Sequence, residues 1–239
     1  MNWKEIKVTS DERGFHVNQQ ALFNKQFQHV MKFHEPGIAP VCDESGWYHI
    51  LTDGSALYQQ RYKRAYGYYF NRASVVDDNE NYFHISENGE RVYQESYQWT
   101  GNFQENLCTV RNDRGLYHHI NPDGTKAYEE EYRYAGDFRE ESACVMMTNG
   151  LSTHIKANGE LLHGRFFADV GVYHKGIATA KDQGGWFHID RNGDPQYEDR
   201  FAMAEPYYNG TALVVGLDGG RVLIDGVGLK IVTVMDMVK

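Results

Sequence analysis

The stretch that decides the fold is "GWFHIDRNG" at residues 185–193, because nearly the same nine residues, "GWYHILTDG", already stand at 46–54. A histidine occupies the middle of both stretches, and an Asn-Gly or Asp-Gly pair closes them. A short alternating segment that ends in such a pair predicts a β-strand entering a tight hairpin, since these turns need positive φ. The repetition of a whole strand and turn predicts a tandem-repeat protein.

The motif histidine returns with an almost constant spacing along the chain. Its six positions are His16, His49, His84, His119, His154 and His188. The steps between them are 33, 35, 35, 35 and 34 residues, and a further step of 35 leads to Leu223. An alternating Ala-x-Val pair, as at Ala39 and Val41, and two aromatic residues separated by five positions, as at Tyr97 and Phe103, keep the same period.

No linker interrupts this period, so we predict a single all-β repeat domain over 1–239. The seven predicted units span approximately 1–36, 37–70, 71–105, 106–140, 141–175, 176–209 and 210–239. In the middle strand Trp186 and His188 lie on one face, and Phe187 and Ile189 lie on the other. Both faces are largely apolar, so each unit needs a neighbour on both sides.

Small three-stranded antiparallel units of this kind fit the blades of a closed β-propeller. The alternative is an open stack of β-meander repeats, which would need polar capping units at its ends. The last unit, "GGRVLIDGVGLKIVTV", is apolar instead and favours closure. Under closure, the end segments "IKVTS" at 6–10 and "LKIVTVMDM" at 229–237 are expected to pair at the seam.

The unit resembles that of the bacterial WG-repeat family. The matching stretches are "GWFHIDRNGDPQYEDRF" at 185–201 and "YRYAGDFREESACV" at 132–145, and the resemblance covers nearly the whole chain. This chain departs by placing Tyr48 or Phe187 where the family has glycine after tryptophan, and histidine where the family has tyrosine. The resemblance implies a repeated β fold and supplies no catalytic residue.

Composition narrows the classes of partner. The net charge of −9 argues against nucleic acid, whose phosphates need a basic face, and against an anionic membrane surface. The opening residues lack the apolar core of a signal peptide, and Cys42, Cys108 and Cys144 have no metal-site spacing, so we predict reduced thiols in the cytoplasm. Known phosphate-binding and catalytic motifs are absent, and we expect neither a cofactor nor a metal.

Six histidines at equivalent points, in most units beside an aromatic residue on a covered face, are interpreted as buried structural hydrogen-bonding groups. The alternative is that they project toward the propeller axis and bind a metal. Unit five is irregular, because Ser152 replaces the aromatic residue beside the histidine and His163 replaces the tyrosine found after the turn elsewhere. This irregularity predicts either a small pocket or simple sequence drift.

Candidate binding residues are those where units agree in position but differ in type. The position after the second aromatic residue holds His34, Tyr69, Gln104, Arg139, His174 and Tyr208. The next position adds Glu35, Glu105, Glu140 and Lys175. These residues lead into the Ala-x-Val strand, which we expect to be first in each unit and nearest the axis. They are therefore predicted to converge on one mouth of the propeller as a small-molecule site, or else to be solvated loop residues.

Three functions are compatible with these observations. The favoured one is a binding module that recognises a small polar ligand or a protein partner through the mouth loops. The alternative is a propeller enzyme whose channel-facing His, Tyr and Glu residues act as acid–base or metal-binding groups. The third is a purely structural repeat.

Overall fold

The computed structural model describes residues 1–234, which fold into seven small antiparallel sheets. The chain divides into two compact units, residues 1–126 with four sheets and residues 127–239 with three. A one-turn 3-10 helix, Trp3–Glu5, precedes the first strand. No helix within residues 1–234 is long and apolar enough to cross a membrane.

The first compact unit, residues 1–126, contains twelve strands, three in each of its four sheets. The first sheet holds β1 (Lys7–Val8), β2 (Phe15–Val17) and β3 (Gln20–Ala21), and the second holds β4 (His29–Val30), β5 (Ile38–Asp43) and β6 (Gly46–Leu51). The third holds β7 (Arg64–Tyr69), β8 (Arg72–Val76) and β9 (Tyr82–Ser86), and the fourth holds β10 (Trp99–Thr100), β11 (Cys108–Arg111) and β12 (Tyr117–Ile120).

The second unit contains ten described strands. The fifth sheet holds β13 (Tyr134–Ala135), β14 (Ala143–Met146) and β15 (Ser152–Ile155), and the sixth holds β16 (Asp169–Val170), β17 (Ala178–Asp182) and β18 (Gly185–Ile189). The seventh holds β19 (Met203–Ala204), β20 (Thr211–Val215), β21 (Arg221–Asp225) and β22 (Lys230–Val234). This sheet has four strands, whereas the sequence predicted three in every unit.

The strand order corrects one prediction about the Ala-x-Val strand. In the second to seventh sheets a short strand precedes it, so it is the second strand and not the first. In the fourth sheet, for example, β10 pairs with β11 through Trp99 opposite Arg111 and Thr100 opposite Val110. The sheets therefore do not begin where the predicted units begin. The third short strand predicted after each Asn-Gly or Asp-Gly turn is in most sheets a single bridge, as between Ile85 and Arg91.

Burial on both sheet faces confirms the prediction of covered faces for the middle sheets, whereas strands of the first and seventh sheets are partly exposed. In the third sheet Ala73 lies opposite Ile85 and Val75 opposite Phe83, and all four side chains are buried. The other face carries Ser74, whose hydroxyl lies 2.5 Å from that of Thr100 in the following sheet. Small residues of the Ala-x-Val pair thus let neighbouring sheets approach, and the apolar area removed from water stabilises the stack.

The expected pairing of the chain ends at a seam is wrong for the residues described. β1 pairs with β2 in the first sheet, whereas β22 pairs with β21 in the seventh. A local turn brings β22 onto β21, with the Asp225 N–H donating to the Leu229 carbonyl at 2.9 Å. Closing so short a loop costs little conformational entropy. Residues 235–237 of the predicted seam segment lie outside the described residues.

Glycine at the end of the motif turn has a structural reason beyond its positive φ. At Gly124, with φ of +88°, an added Cβ would lie within 3.0 Å of the Tyr93 ring, which belongs to the preceding sheet. The same close approach occurs at other turns, namely Gly54 to Phe23, Gly89 to Tyr58, Gly159 to Tyr128, Gly193 to His163 and Gly228 to Tyr197. The turn of one sheet therefore rests on a ring of the sheet before it.

We expect Gly124→Ala to lower the free energy of unfolding by about 2–4 kcal/mol. About 1 kcal/mol arises from the left-handed backbone, and the remainder from overpacking against Tyr93. Gly115→Ala is the matched control, because Gly115 has φ of +77° but nothing within 4 Å of an added Cβ. Urea unfolding of both variants measures the difference. Equal losses in the two variants would show that contact with the ring contributes nothing.

Candidate functional site

Most of the motif histidines, namely His49, His84, His154 and His188, are buried hydrogen-bonding groups, as the repetition predicted. His84 is 1% exposed, its Nδ1 lies 2.5 Å from the Tyr93 hydroxyl, and its Nε2 lies 3.1 Å from the Gly101 carbonyl oxygen. A carbonyl oxygen only accepts, so Nε2 carries the proton and Nδ1 accepts from the tyrosine hydroxyl. Because Gly101 follows the first strand of the next sheet, the histidine joins two consecutive sheets.

The same arrangement, a histidine held between a side chain nine positions later and a carbonyl seventeen positions later, recurs in other sheets. It comprises His49 with Tyr58 and Tyr66, His154 with His163 and Gly171, and His188 with Tyr197 and Glu205. We call this arrangement the histidine clasp. His16 is an exception, because it is only partly buried and its Nδ1 has no hydrogen-bond partner within residues 1–234.

Burial also keeps the clasp histidines neutral. It lowers the pKa of His49, His84 and His154 to about 4, against an ordinary value of 6.5. Both ring nitrogens of each are already engaged, so none is placed to transfer a proton to a substrate. Across residues 1–234 no three His, Cys, Asp or Glu side chains are grouped so as to hold a metal ion.

The irregular fifth sheet preserves its clasp with a different side chain. His163 stands in the tyrosine position, and its Nε2 lies 3.1 Å from His154 Nδ1. Since His154 donates its Nε2 proton to the Gly171 carbonyl at 2.8 Å, His163 donates from Nε2. The Nδ1 of His163 is buried and has no partner among the described residues. The replacement of tyrosine therefore retains both bonds of the clasp and adds one buried acceptor, His163 Nδ1, that is unsatisfied.

The predicted mouth residues all lie at hairpin turns that lead into the Ala-x-Val strand. Five of these turns share a form in which two central residues have positive φ, as the tightest hairpin turns require. The central pairs are Phe70 and Asn71, Glu105 and Asn106, Glu140 and Glu141, Lys175 and Gly176, and Asn209 and Gly210. Glu35 belongs to a longer turn in which His34 bridges Ile38 and Gly37 has φ of 107°.

In the first unit the structure brings His34 and Tyr69 together. Their ring centroids lie 4.7 Å apart, and the His34 ring packs so closely on Gly67 that an added Cβ would lie 2.5 Å from its Cδ2. Burial, with a smaller contribution from Lys32, lowers the pKa of His34. The imidazole is therefore uncharged at neutral pH.

These residues open onto a cleft of about 620 Å³. It is lined by Trp3, His34, Glu35, Tyr68, Tyr69, Phe70, Asn71, Arg72 and Asn106. Sequence reasoning missed Trp3 and Phe70. Trp3 precedes the repeats, whereas Phe70 could have been recognised as an exposed aromatic residue at a turn position that favours Asn or Gly. Gln104 and Glu105 are not among the lining residues, although Asn106 of their turn is.

Two further open clefts lie in the first unit and contain none of the predicted residues. One of about 570 Å³ is lined by residues that include Arg13, Lys25 and Asp43, and one of about 480 Å³ includes Glu87 and Arg91. In the first of these, Lys25 Nζ lies 3.0 Å from an Asp43 oxygen and 2.9 Å from the Tyr48 hydroxyl. Their linings are more polar and offer fewer exposed rings than the cleft around Tyr69.

In the second unit the structure brings Arg139, Glu140, His174 and Tyr208 together. Arg139 Nη2 lies 3.4 Å from His174 Nδ1, and the His174 and Tyr208 rings lie 5.4 Å apart. The Glu140 carboxylate accepts the backbone N–H groups of Lys175 at 2.6 Å and Gly176 at 2.9 Å. The predicted residues thus form two groups, one in each unit.

Comparison with solved structures identifies the fold. The computationally designed Ika8 protein matches over 96% of this chain and 83% of its own, with 11% sequence identity and a TM-score of 0.52. BamB from Moraxella catarrhalis matches over 98% of this chain and 86% of its own, with 11% identity and a TM-score of 0.50. The chain has an all-β fold of seven small antiparallel sheets that matches β-propeller structures. No protein-family model and no curated protein matches it.

Proposed function

We propose that this chain is a binding module that holds a small polar ligand with a flat apolar face, such as a sugar, in the cleft around Tyr69. The single observation that carries this proposal is that the cleft, of about 620 Å³, combines aromatic side chains with hydrogen-bonding groups. Small-molecule sites are concave, largely apolar and fitted with a few convergent polar groups.

The cleft has the two kinds of contact that a sugar needs. Trp3, Tyr69 and Phe70 offer ring faces, and Phe70 is 51% exposed at the turn. Such rings present large apolar contact areas with little loss of side-chain freedom on binding. Glu35 and Asn71 offer acceptors and donors for hydroxyl groups.

Arg72 fixes the shape of the turn that carries these rings. Its Nη1 donates to the Phe70 carbonyl at 3.0 Å, and its Nε donates to the Pro122 carbonyl of the next sheet at 2.9 Å. Its guanidinium also lies 5.3 Å from the Phe103 ring centroid. A turn held in this way binds with a smaller entropic penalty than a mobile one.

We expect Tyr69→Ala to weaken sugar binding about tenfold, because one stacking face of about 1.5 kcal/mol is lost. Titration calorimetry against a panel of mono- and disaccharides measures the affinity. Tyr134→Ala is the control, because Tyr134 is an exposed tyrosine, at 50%, that does not line this cleft.

Trp3 provides an independent report of occupancy. Binding at this cleft should change the intrinsic tryptophan fluorescence, and Trp3→Phe should abolish most of that change while calorimetry still detects the sugar. If Tyr69→Ala keeps the sugar affinity and Trp3→Phe keeps the fluorescence change, the sugar binds elsewhere on the protein. If no sugar in the panel binds, the proposal that the ligand is a sugar is wrong.

The proposals about family, domain organisation and cellular location rest on the sequence. We propose that the units are repeats of the WG type, that residues 1–239 form one domain with the predicted unit bounds, and that the protein acts in the bacterial cytoplasm. A protein partner at the same turns is the other occupant that the sequence favours, whereas nucleic acid and membranes are disfavoured by the net charge of −9. The enzyme alternative gains no support from the clasp histidines, whose ring nitrogens are engaged.

A further inference from the structure

The second unit contains a turn whose backbone holds a carboxylate. Lys175 and Gly176, at the centre of the turn 174–177, have φ of 52° and 78°. In this conformation their consecutive N–H groups point to one side and form a small anion-binding concavity. The two oxygens of Glu140, from the turn of the preceding sheet, occupy it at 2.6 Å and 2.9 Å.

The two hydrogen bonds in this concavity affect the ionisation of the Glu140 carboxyl group. Partial burial opposes ionisation of its carboxyl group, but the bonds from the Gly176 and Lys175 N–H groups prevail and lower its pKa. The carboxylate is therefore charged at neutral pH. In turn 174–177 this backbone conformation holds a carboxylate through two N–H groups, and the nearby charges of His174 and Arg139 also favour the ionised form of Glu140.

The next turn, 208–211, has the same geometry. Its central residues Asn209 and Gly210 have φ of 50° and 81°. Its ends are closed by Tyr208 N–H to the Thr211 carbonyl at 2.8 Å and by the reverse bond at 3.0 Å. The corresponding closing bonds in turn 174–177 are 2.9 Å and 3.3 Å. The two concavities are therefore alike in backbone form.

The two turns differ in what the preceding sheet supplies. Glu140 is the second residue of turn 139–142, and the equivalent residue of turn 174–177 is Lys175. An ammonium group has no acceptor, so it cannot occupy the concavity. Within residues 1–234, the N–H groups of Asn209 and Gly210 make no hydrogen bond. Both residues are exposed, and nothing lies within 4 Å of an added Cβ at Gly210.

We propose that turn 208–211 is a carboxylate-binding site, which an external carboxylate enters as Glu140 enters the turn before it. Two backbone N–H groups would grip the carboxylate oxygens, and the equivalent position of the preceding sheet supplies the exposed cation Lys175 in place of the internal acid. Tyr208, which is 65% exposed, frames the site beside His174. The site is separate from the cleft of the proposed function and does not depend on it.

The test uses NMR to observe the backbone amides of the ¹⁵N-labelled protein during titration with sodium acetate. The Asn209 and Gly210 amide signals should shift and saturate in the millimolar range, as expected for a small anion held mainly by two bonds. Sodium chloride at equal ionic strength should leave them in place. Equal shifts with chloride, or no saturable shift with acetate, would overturn the proposal.

Two substitutions make the test specific. Lys175→Glu should fill the site internally, move the Asn209 and Gly210 signals before any acetate is added, and weaken acetate binding at least tenfold. Lys175→Gln is the matched control, because it removes the charge without providing a carboxylate, and it should weaken binding far less. Glu140→Lys should create a new acetate response at Lys175 and Gly176. An unaltered acetate affinity in Lys175→Glu would refute the site.

Two peptide arms distinguish the possible sources of the carboxylate. A short capped peptide with one glutamate, compared with the same peptide carrying glutamine, should shift the same amides only in the glutamate form. Tighter binding of that peptide than of acetate indicates an acidic segment of a partner protein, and equal binding indicates a free small acid. Tyr69→Ala should change none of these results, so this site and the cleft can fail separately.

Discussion

Acidification from about pH 7 to about pH 4.5 should unfold the protein or bring it close to unfolding. His49, His84 and His154 have pKa values of about 4 in the folded state against 6.5 ordinarily, so between these values the unfolded chain binds more protons. Stability therefore falls as the pH drops through this window and is fully present above about 6.5. Each histidine contributes about 3 kcal/mol over the window, and their sum is comparable with the stability of an ordinary domain.

Urea unfolding at several pH values between about 7.5 and 4.5 measures this effect. Low protein concentration is needed, because the net charge of −9 at pH 7 moves toward zero on acidification and promotes association. His29→Gln serves as a control, since the His29 side chain is 37% exposed and not buried between sheets. A free energy of unfolding that stays constant down to about pH 4.5 would mean that these histidines are not buried in their neutral form.

His84→Ala should lower the free energy of unfolding by about 3–5 kcal/mol. The substitution leaves the Tyr93 hydroxyl and the Gly101 carbonyl without their partner, at about 1–3 kcal/mol each if no water replaces it, and opens a cavity between two sheets. Denaturant unfolding at about pH 7.5 measures the loss. The variant should also show a smaller acid dependence, by less than about one third, because one of the three largest pKa depressions disappears while other histidines, such as His34 and His188, keep theirs.

Tyr93→Phe isolates one half of the same clasp. It removes the hydroxyl that donates to His84 Nδ1 but keeps the ring on which Gly124 packs. We expect a loss of about 1–2 kcal/mol, clearly smaller than that of His84→Ala. A loss as large as that of His84→Ala would mean that the bond to the Gly101 carbonyl has no stabilising effect of its own.

The repeated architecture could be predicted because the residues that determine it are side chains with a strict spacing. The Asp-Gly and Asn-Gly turns, the small Ala-x-Val residues and the histidines recur at the same points of successive sheets, although the Ala-x-Val strand is the second strand and not the first. The short strand before each Ala-x-Val strand could not be predicted. A two-residue strand such as β10 has no alternation of its own, and its pairing with β11 is fixed by tertiary contacts.

The turn positions of the candidate residues could be predicted, whereas most of their contacts could not. Five of the six variable positions lie at one kind of turn, and His34 with Tyr69, and Arg139 with His174, are adjacent in space. The role of Glu140 was hidden, because its partners are backbone N–H groups and leave no trace in the sequence. The central pair Glu140 and Glu141 also adopts positive φ without the Asn or Gly that signals such a turn.

The two bonds of the histidine clasp restrict amino-acid substitution to different degrees. One of its bonds joins two side chains nine positions apart, so each restricts the other to a complementary hydrogen-bonding group, as His163 keeps a donor for His154 where Tyr93 donates to His84. The other bond ends on a main-chain carbonyl, which every amino acid provides. Comparison of diverged copies should therefore reveal covariation between positions nine apart and none between positions seventeen apart. A consensus repeat built for engineering would need to specify only the histidine, its side-chain donor and the glycine that packs on that donor.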